Sequence, residues 1–439
     1  MRKPKAKRAK IERAASKLTR RKMLSGLALA AAGISAGRKL LTADALAADE
    51  KSAPAQPVNP SYEVLEVGPG KRFTSLTDAG VFMNSAARWA NGYVGPQKIA
   101  RMGFHVIISP GPPGYYVNDS GSHSRRWKGA TIGWPPYEWT LLGPTIIEGE
   151  PGKPAPVLET DGFADGVLYY QTGLFATGSC DATFRRLIFK GFRRQDGNGN
   201  YAAVRLGQNF ADIPMNSHVL FEDCEITGCD NGIMGGAVGQ SLTIRRCNFH
   251  DNGNWTGKVH NVYFSAGDTL TVEDTLSTRC TIGHLLKSRA ATTIVRDTRL
   301  IGNGGLESAC LDVPDAGVLD MENVICEKSP DTDASWIIHY SGENQDEGNG
   351  VPFHIPSSIK IRNLTMIAPP SIARHPSWPL LGFANQSGYG EQISGKGSFL
   401  VKPDAQGVKA FGLTNANAGL PFTPLASKPA LDLTSPVKL

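Results

Sequence analysis

Apolar side chains recur along the middle of this chain at the spacing of a short coil. Anchors stand at Phe184, Phe221, Ile244, Val272, Val295, Met321 and Ile361, separated by 37, 23, 28, 23, 26 and 40 residues. Two positions after each comes a polar residue: Arg186, Asp223, Arg246, Asp274, Asp297, Asn323 and Asn363. Three positions after comes Leu187, Cys224, Cys247, Thr275, Thr298, Val324 or Leu364, and five after comes Phe189, Ile226, Phe249, Ser277, Leu300, Cys326 or Met366. This order predicts a strand, a tight polar turn and a second strand in every unit, with the longer gaps as loop insertions. Asp274, Asp297, Asn323 and Asn363 therefore read as turn residues without a chemical role.

The shorter units leave no room for a helical crossover, so the crossover is itself made of strands, and parallel crossovers are right-handed. The stretches Val67 to Gly80 (VGPGKRFTSLTDAG) and His105 to Val117 (HVIISPGPPGYYV) resemble the start of right-handed parallel β-helix proteins of the pectin-lyase-like superfamily. There a first strand, a capping helix and a VIISPG strand close the open end of the coil stack. The resemblance implies an all-β chain, a right-handed parallel β-helix (solenoid) with a short N-terminal capping helix, over about residues 62–368. Residues 48–61 read as a Pro/Ala/Ser linker, and 369–439, rich in Pro, Gly, Ala and Ser, as an irregular segment packed on the helix or capping it.

Charge divides the chain unevenly. Residues 1–47 hold 13 Lys or Arg against 2 Asp or Glu, so +6 for the whole less +11 for the leader leaves −5 for residues 48–439. The basic balance belongs to the leader, and a nucleic-acid partner loses its compositional support. Arg20-Arg21 before a short Ala-rich apolar run, followed by Ala45-Leu46-Ala47, resembles a bacterial twin-arginine export signal. It implies a periplasmic or secreted protein that folds before meeting the twin-arginine machinery. The apolar run is short for a stable membrane span, which disfavours the alternative of an uncleaved anchor.

Seven cysteines are an odd set for a compartment that permits disulfides. Cys224 and Cys247 share one column on neighbouring coils, about 4.8 Å apart, within bridging reach. In-register side chains point in parallel, which is poor geometry for a bridge, so the expectation is a buried thiol ladder.

The densest reactive cluster lies on three successive coils: His260-Asn261-Val262-Tyr263, then Gly283-His284-Leu285-Leu286-Lys287-Ser288-Arg289, then Ser308-Ala309-Cys310-Leu311-Asp312. His260 to His284 is 24 residues, Tyr263 to Lys287 is 24, and Lys287 to Asp312 is 25, one coil per step. Lys287 and Arg289 share a strand face, and two cations in a narrow core are costly, so that face is expected outside. Strict alternation then turns His284 inward with Leu286, unless a bend near Gly283 brings it beside Lys287. Cleaving a 4-linked uronate by β-elimination requires a partner for the C6 carboxylate, a base for the C5 proton and an acid for the leaving oxygen. Arg289 supplies a planar fork for the carboxylate, and its charge favours a neutral Lys287 as base. Tyr263, His260 or His284 supplies the proton, while Trp255, Asn261 and Asp312 complete the substrate contacts, Trp255 by stacking on a sugar ring.

This arrangement resembles β-helix polysaccharide lyases acting on alginate or dermatan-type chains. The resemblance implies an anionic polysaccharide partner and a strand lysine as base. The acidic calcium ligands of those enzymes are replaced by His260-Asn261-Val262-Tyr263, so calcium stays open without its usual ligand pattern, with Asp312 able to bind a cation or to orient Lys287. Two other readings stay open: a hydrolase of the polygalacturonase type, and a non-catalytic carbohydrate-binding or envelope protein. Asp119 to Arg126 with Trp127, Trp134 and Trp139 reads as cap packing or a sugar-binding lid. On the export reading, changing Arg20 and Arg21 together to Lys leaves unprocessed protein in the cytoplasm. Normal periplasmic accumulation of that double variant, seen by fractionation, removes the twin-arginine assignment.

Overall fold

The computed structural model describes residues 61–83, 102–111, 139–159, 173–193, 201–207, 216–254, 259–332, 336–340, 354–369, 381–383, 403–413 and 420–437, a few single positions excepted. The leader, most of the linker, Asp119 to Trp134 and Trp255 lie outside the described residues. The strand pairings are parallel throughout, and the strands form one sheet of nineteen and one of nine among the described residues. Each coil gives the larger sheet two strands bent at a corner, then one strand to the smaller sheet. The result is a right-handed parallel β-helix.

The anchor column fixes the stack. Phe184, Phe221, Ile244, Val272, Val295, Met321 and Ile361 pair residue for residue on successive coils. The same column runs back through Leu65, Val106 and Ile147 and on to Ala405. All but Ala405 are buried, and so are the residues three and five positions after the seven repeat anchors. In the wide part of the core, Phe184 stacks on Phe221 at 4.7 Å, with Phe175 at 5.3 Å from Phe184. Leu76, Ala79 and Met83 face this core from a helical turn between the strands Ser61–Val67 and Met102–Ile108.

The polar residue two after each anchor is the corner. All seven have φ between 43° and 55°, the left-handed region that turns a strand sharply. Asp and Asn adopt it more readily than most residues, and four of the five Asp and Asn corners here bond to the corner side chain of a neighbouring coil. Asn363 donates to Asn323 at 3.1 Å and Asn323 to Asp297 at 2.9 Å. Arg246 reaches both oxygens of Asp223, at 2.7 and 3.0 Å.

One column escaped the sequence reading. The residue directly after each anchor alternates in charge: Glu148, Arg185, Glu222, Arg245, Glu273, Arg296, Glu322 and Arg362, each opposite the next in register. Arg185 lies 2.9 Å from Glu222 and 3.4 Å from Glu148, and Arg245 lies 2.9 Å from Glu273.

Beyond residue 368 the structure adds order to a segment expected to be irregular. Asp404–Gln406 and Lys409–Phe411 pair with Lys360 to Arg362 and Thr365 to Ile367 and so add a coil to the stack. The chain after them runs along the stack, where Arg299 meets the Asp432 carboxylate at 2.8 Å and Lys428 meets Glu327. All seven cysteines are buried and unbridged.

Val295 is fully buried between Val272 and Met321. Val295→Asp places an unpaired carboxylate there and lowers stability by roughly 3–5 kcal/mol. Urea unfolding measures the loss, and an unchanged midpoint means the column does not face the core.

Candidate functional site

The cluster sits on the smaller sheet, where Tyr263, Lys287, Asp312 and His339 are consecutive partners in one column. Three come from the strands Val262–Phe264, His284–Ser288 and Ala309–Val313, and His339 comes from Ile338–Tyr340.

The strand His284–Ser288 departs from alternation at its start. Leu285 and Leu286 both join the hydrophobic core, which leaves His284 and Lys287 together with Asp312. The bend sits at Gly283, whose φ is 149° and where an added Cβ would lie 1.7 Å from the Val259 carbonyl oxygen. Only glycine fits there. His284 is therefore beside Lys287, the orientation that the sequence made conditional on a bend near Gly283.

His284 stacks on His260 with ring centroids 4.7 Å apart. The backbone N–H of His284 and its Nδ1 both meet His260 Nδ1 at 3.0 Å, so His260 accepts there and carries its own proton on Nε2. Burial, then His284 and Lys287, push the His260 imidazole well below its ordinary range. Burial also pushes His284 down to about 3, against the pull of Asp312 and with help from Lys287.

Lys287 is 7 % exposed, so the expected solvent-facing position is corrected to a buried one. A charge is tolerated because Nζ lies 2.8 Å from Asp312 Oδ2. That carboxylate favours the ammonium, which opposes the neutral lysine inferred from Arg289 alone. Asp312 is 1 % exposed and receives His339 Nδ1 at 2.7 Å on its other oxygen. Burial opposes its ionisation, yet Lys287, His284 and the His339 hydrogen bond hold it well below the usual carboxylate range.

Arg289 follows the strand. Its Nε donates to Tyr263 Oη at 3.1 Å and its Nη1 to Asp315. Tyr263 stands edge-on to His260, with Lys287 Nζ 5.7 Å from its ring centroid. Tyr263, His284 and Arg289 are the half-buried members through which the cluster meets solvent.

Asn261 is corrected as a substrate contact, because it lies inside the solenoid and not beside Lys287. Its amide nitrogen donates to Ser277 and to the Thr278 carbonyl, and its oxygen accepts from Asn252. Asp312 likewise reaches no solvent and serves Lys287 and His339. Trp255 lies outside the described residues. Among the described residues no group of three or more His, Cys, Asp and Glu side chains is placed to hold a metal.

His339 went unnoticed in the sequence, although the 27-residue step from Asp312 was available as a signal. Its ring stacks on Trp336 at 4.2 Å and 10°.

No family model matches the chain, and no curated protein matches it. Among solved structures, DFA-IIIase from Arthrobacter chlorophenolicus A6 without its lid, in complex with GF2, gives a TM-score of 0.38 at 10% identity, covering 79% of this chain and 87% of that one. The same enzyme in complex with DFA-III gives 0.34 at 9% identity, covering 84% and 99%. These likenesses assign no residue role here.

The His284 shift has a sign. Its folded imidazole ionises at about 3 rather than 6.5, so unfolding takes up a proton in mild acid: this stabilisation is full above about pH 6.5 and is lost as pH falls toward about 3. Thermal melting from pH 7 down to about 4 therefore declines less steeply in His284→Gln than in the wild type. Equal slopes overturn the assignment of a neutral buried His284.

Proposed function

We propose that this chain is an exported polysaccharide lyase that cleaves a uronate-containing polymer by β-elimination at the Tyr263–Lys287–Arg289 cluster. The observation that supports this reading is the hydrogen bond from Arg289 Nε to Tyr263 Oη at 3.1 Å, with a lysine ammonium beside the same ring. On this reading Tyr263 acts as its phenolate, with Arg289 and Lys287 beside it, and takes the C5 proton. The electron pair of the C5–H bond then forms the C4–C5 double bond. The C4–O4 pair leaves on O4, which takes the proton back from the Tyr263 hydroxyl. Arg289 and Lys287 offset the charge that grows on the uronate carboxylate during this step.

Lys287 is thereby a source of positive charge and not the base, because Asp312 at 2.8 Å keeps its proton in place. A retaining or inverting hydrolase would need a protonated carboxyl facing a second carboxylate. In this cluster Asp312 is paired with Lys287 and held well below the usual carboxylate range, and Asp315 is paired with Arg289. The guanidinium of Arg289 and the phenol of Tyr263, which both meet solvent, suit an anionic polymer, and the paired-arginine leader agrees with export.

Incubating the mature protein with a panel of uronate polymers produces a new ultraviolet band from the conjugated C4–C5 double bond. Tyr263→Phe loses turnover by roughly 10²- to 10⁴-fold in a stable protein, since proton transfer by a positioned side chain contributes about that much. Arg289→Ala raises KM and lowers kcat together. New reducing ends without the band point to hydrolysis, and binding without either product points to a lectin-like role.

A further inference from the structure

We propose that His339 is a positioning residue of this site, acting on Lys287 through Asp312. This rests on the cluster being the functional one. The chain of contacts crosses three successive coils: His339 Nδ1 to Asp312 Oδ1 at 2.7 Å, then Asp312 Oδ2 to Lys287 Nζ at 2.8 Å. Register brings Lys287, Asp312 and His339 opposite one another, so no loop has to close to make it. The far end of the chain is the ammonium that lies 5.7 Å from the Tyr263 ring centroid.

A buried aspartate with one oxygen on a lysine is free to rotate about its last torsion. His339 removes that freedom by tying down the second oxygen, and the stack on Trp336 holds the imidazole in turn. Donation through Nδ1 leaves Nε2, which, like Asp312 Oδ2, is buried without a hydrogen-bond partner among the described residues. Stability alone does not favour such a group. An asparagine presents an N–H in the place of Nδ1 without a second ring nitrogen. The other titratable or charged groups around this chain are His284 at 3.6 Å from Asp312 Oδ2, His260 behind it, Arg289 beside Tyr263, and Lys328, which helps depress His284.

The test begins without a substrate. In the full-length mature protein labelled with ¹⁵N-lysine, a buried, bonded ammonium exchanges its protons slowly and gives a resonance that exposed lysines do not. Lys287→Arg assigns the Lys287 signal, and Lys328, held by the Glu307 and Ser308 carbonyls at 2.8 Å each, is the internal control. In His339→Leu the Lys287 signal shifts or broadens away while that of Lys328 stays, and His339→Asn restores it. If the leucine variant does not fold, His339→Gln, whose amide is one bond further out, replaces it against His339→Asn. An unchanged Lys287 signal in the leucine or glutamine variant overturns the proposal, as does an asparagine variant that matches them. On a polymer that the wild type cleaves, His339→Leu lowers kcat by tenfold or more with KM little changed, and His339→Asn recovers most of it; a loss confined to KM overturns the positioning role. A wild type that cleaves no uronate, with the resonance behaving as stated, sinks the lyase reading and leaves the positioning role intact.

Discussion

The seven repeat coils each bend at a residue whose backbone most side chains avoid. The seven corner positions all sit near φ +50°, between two strands whose alternate side chains are buried. Without that bend the second strand would point its apolar residues away from the core. Left-handed backbone costs a non-glycine residue on the order of 1 kcal/mol, and the stack offsets it by bonding the corner side chains from coil to coil. Arg246 on Asp223, Asn323 on Asp297 and Asn363 on Asn323 are the repeated solution, and Arg186 meets Glu148 and the Gly149 carbonyl in the same spirit.

Corners set the shape of a coil, but they do not by themselves say which coil sits on which. The column of alternating Glu and Arg does. Like charges directly opposite are destabilising, whereas the six inner residues of the column, Arg185 to Glu322, each lie opposite the contrary sign above and below. Slipping a coil by one residue would also turn the anchors outward, so the hydrophobic and electrostatic requirements select the same register. The cations of the smaller sheet are arranged differently, with Lys287 and Arg289 drawn toward one phenol.

The price of that arrangement is burial of charge. Lys287, Asp312 and His339 occupy positions that an ordinary solenoid fills with apolar or small residues, and each is tolerated only through the others. Removing one member strands the next. The same desolvation that makes the network costly keeps His260 and His284 neutral, leaving the ammonium and guanidinium as the cations facing Tyr263.

The sequence alone determined the fold, the stacking of the anchor column and the set of coils that brings Tyr263, Lys287 and Asp312 together. These follow from periodicity, and periodicity is local: the anchors, corner residues and the 24- and 25-residue steps from Tyr263 through Lys287 to Asp312 all recur at one coil length, as observed. The alternating charges and the 27-residue step to His339 were equally present in the letters and went unread. Tertiary structure decided what periodicity cannot express. Gly283 breaks alternation because the Val259 carbonyl leaves no room for a side chain, and that contact comes from the preceding coil. Asn261 stands beside His260 in the chain yet turns its amide into the core, where Asn252, Ser277 and Thr278 await it. The protonation of Lys287 depends on a carboxylate one coil away and on how little water reaches either group. Such properties belong to distances and burial between segments far apart in sequence, which only the folded stack creates.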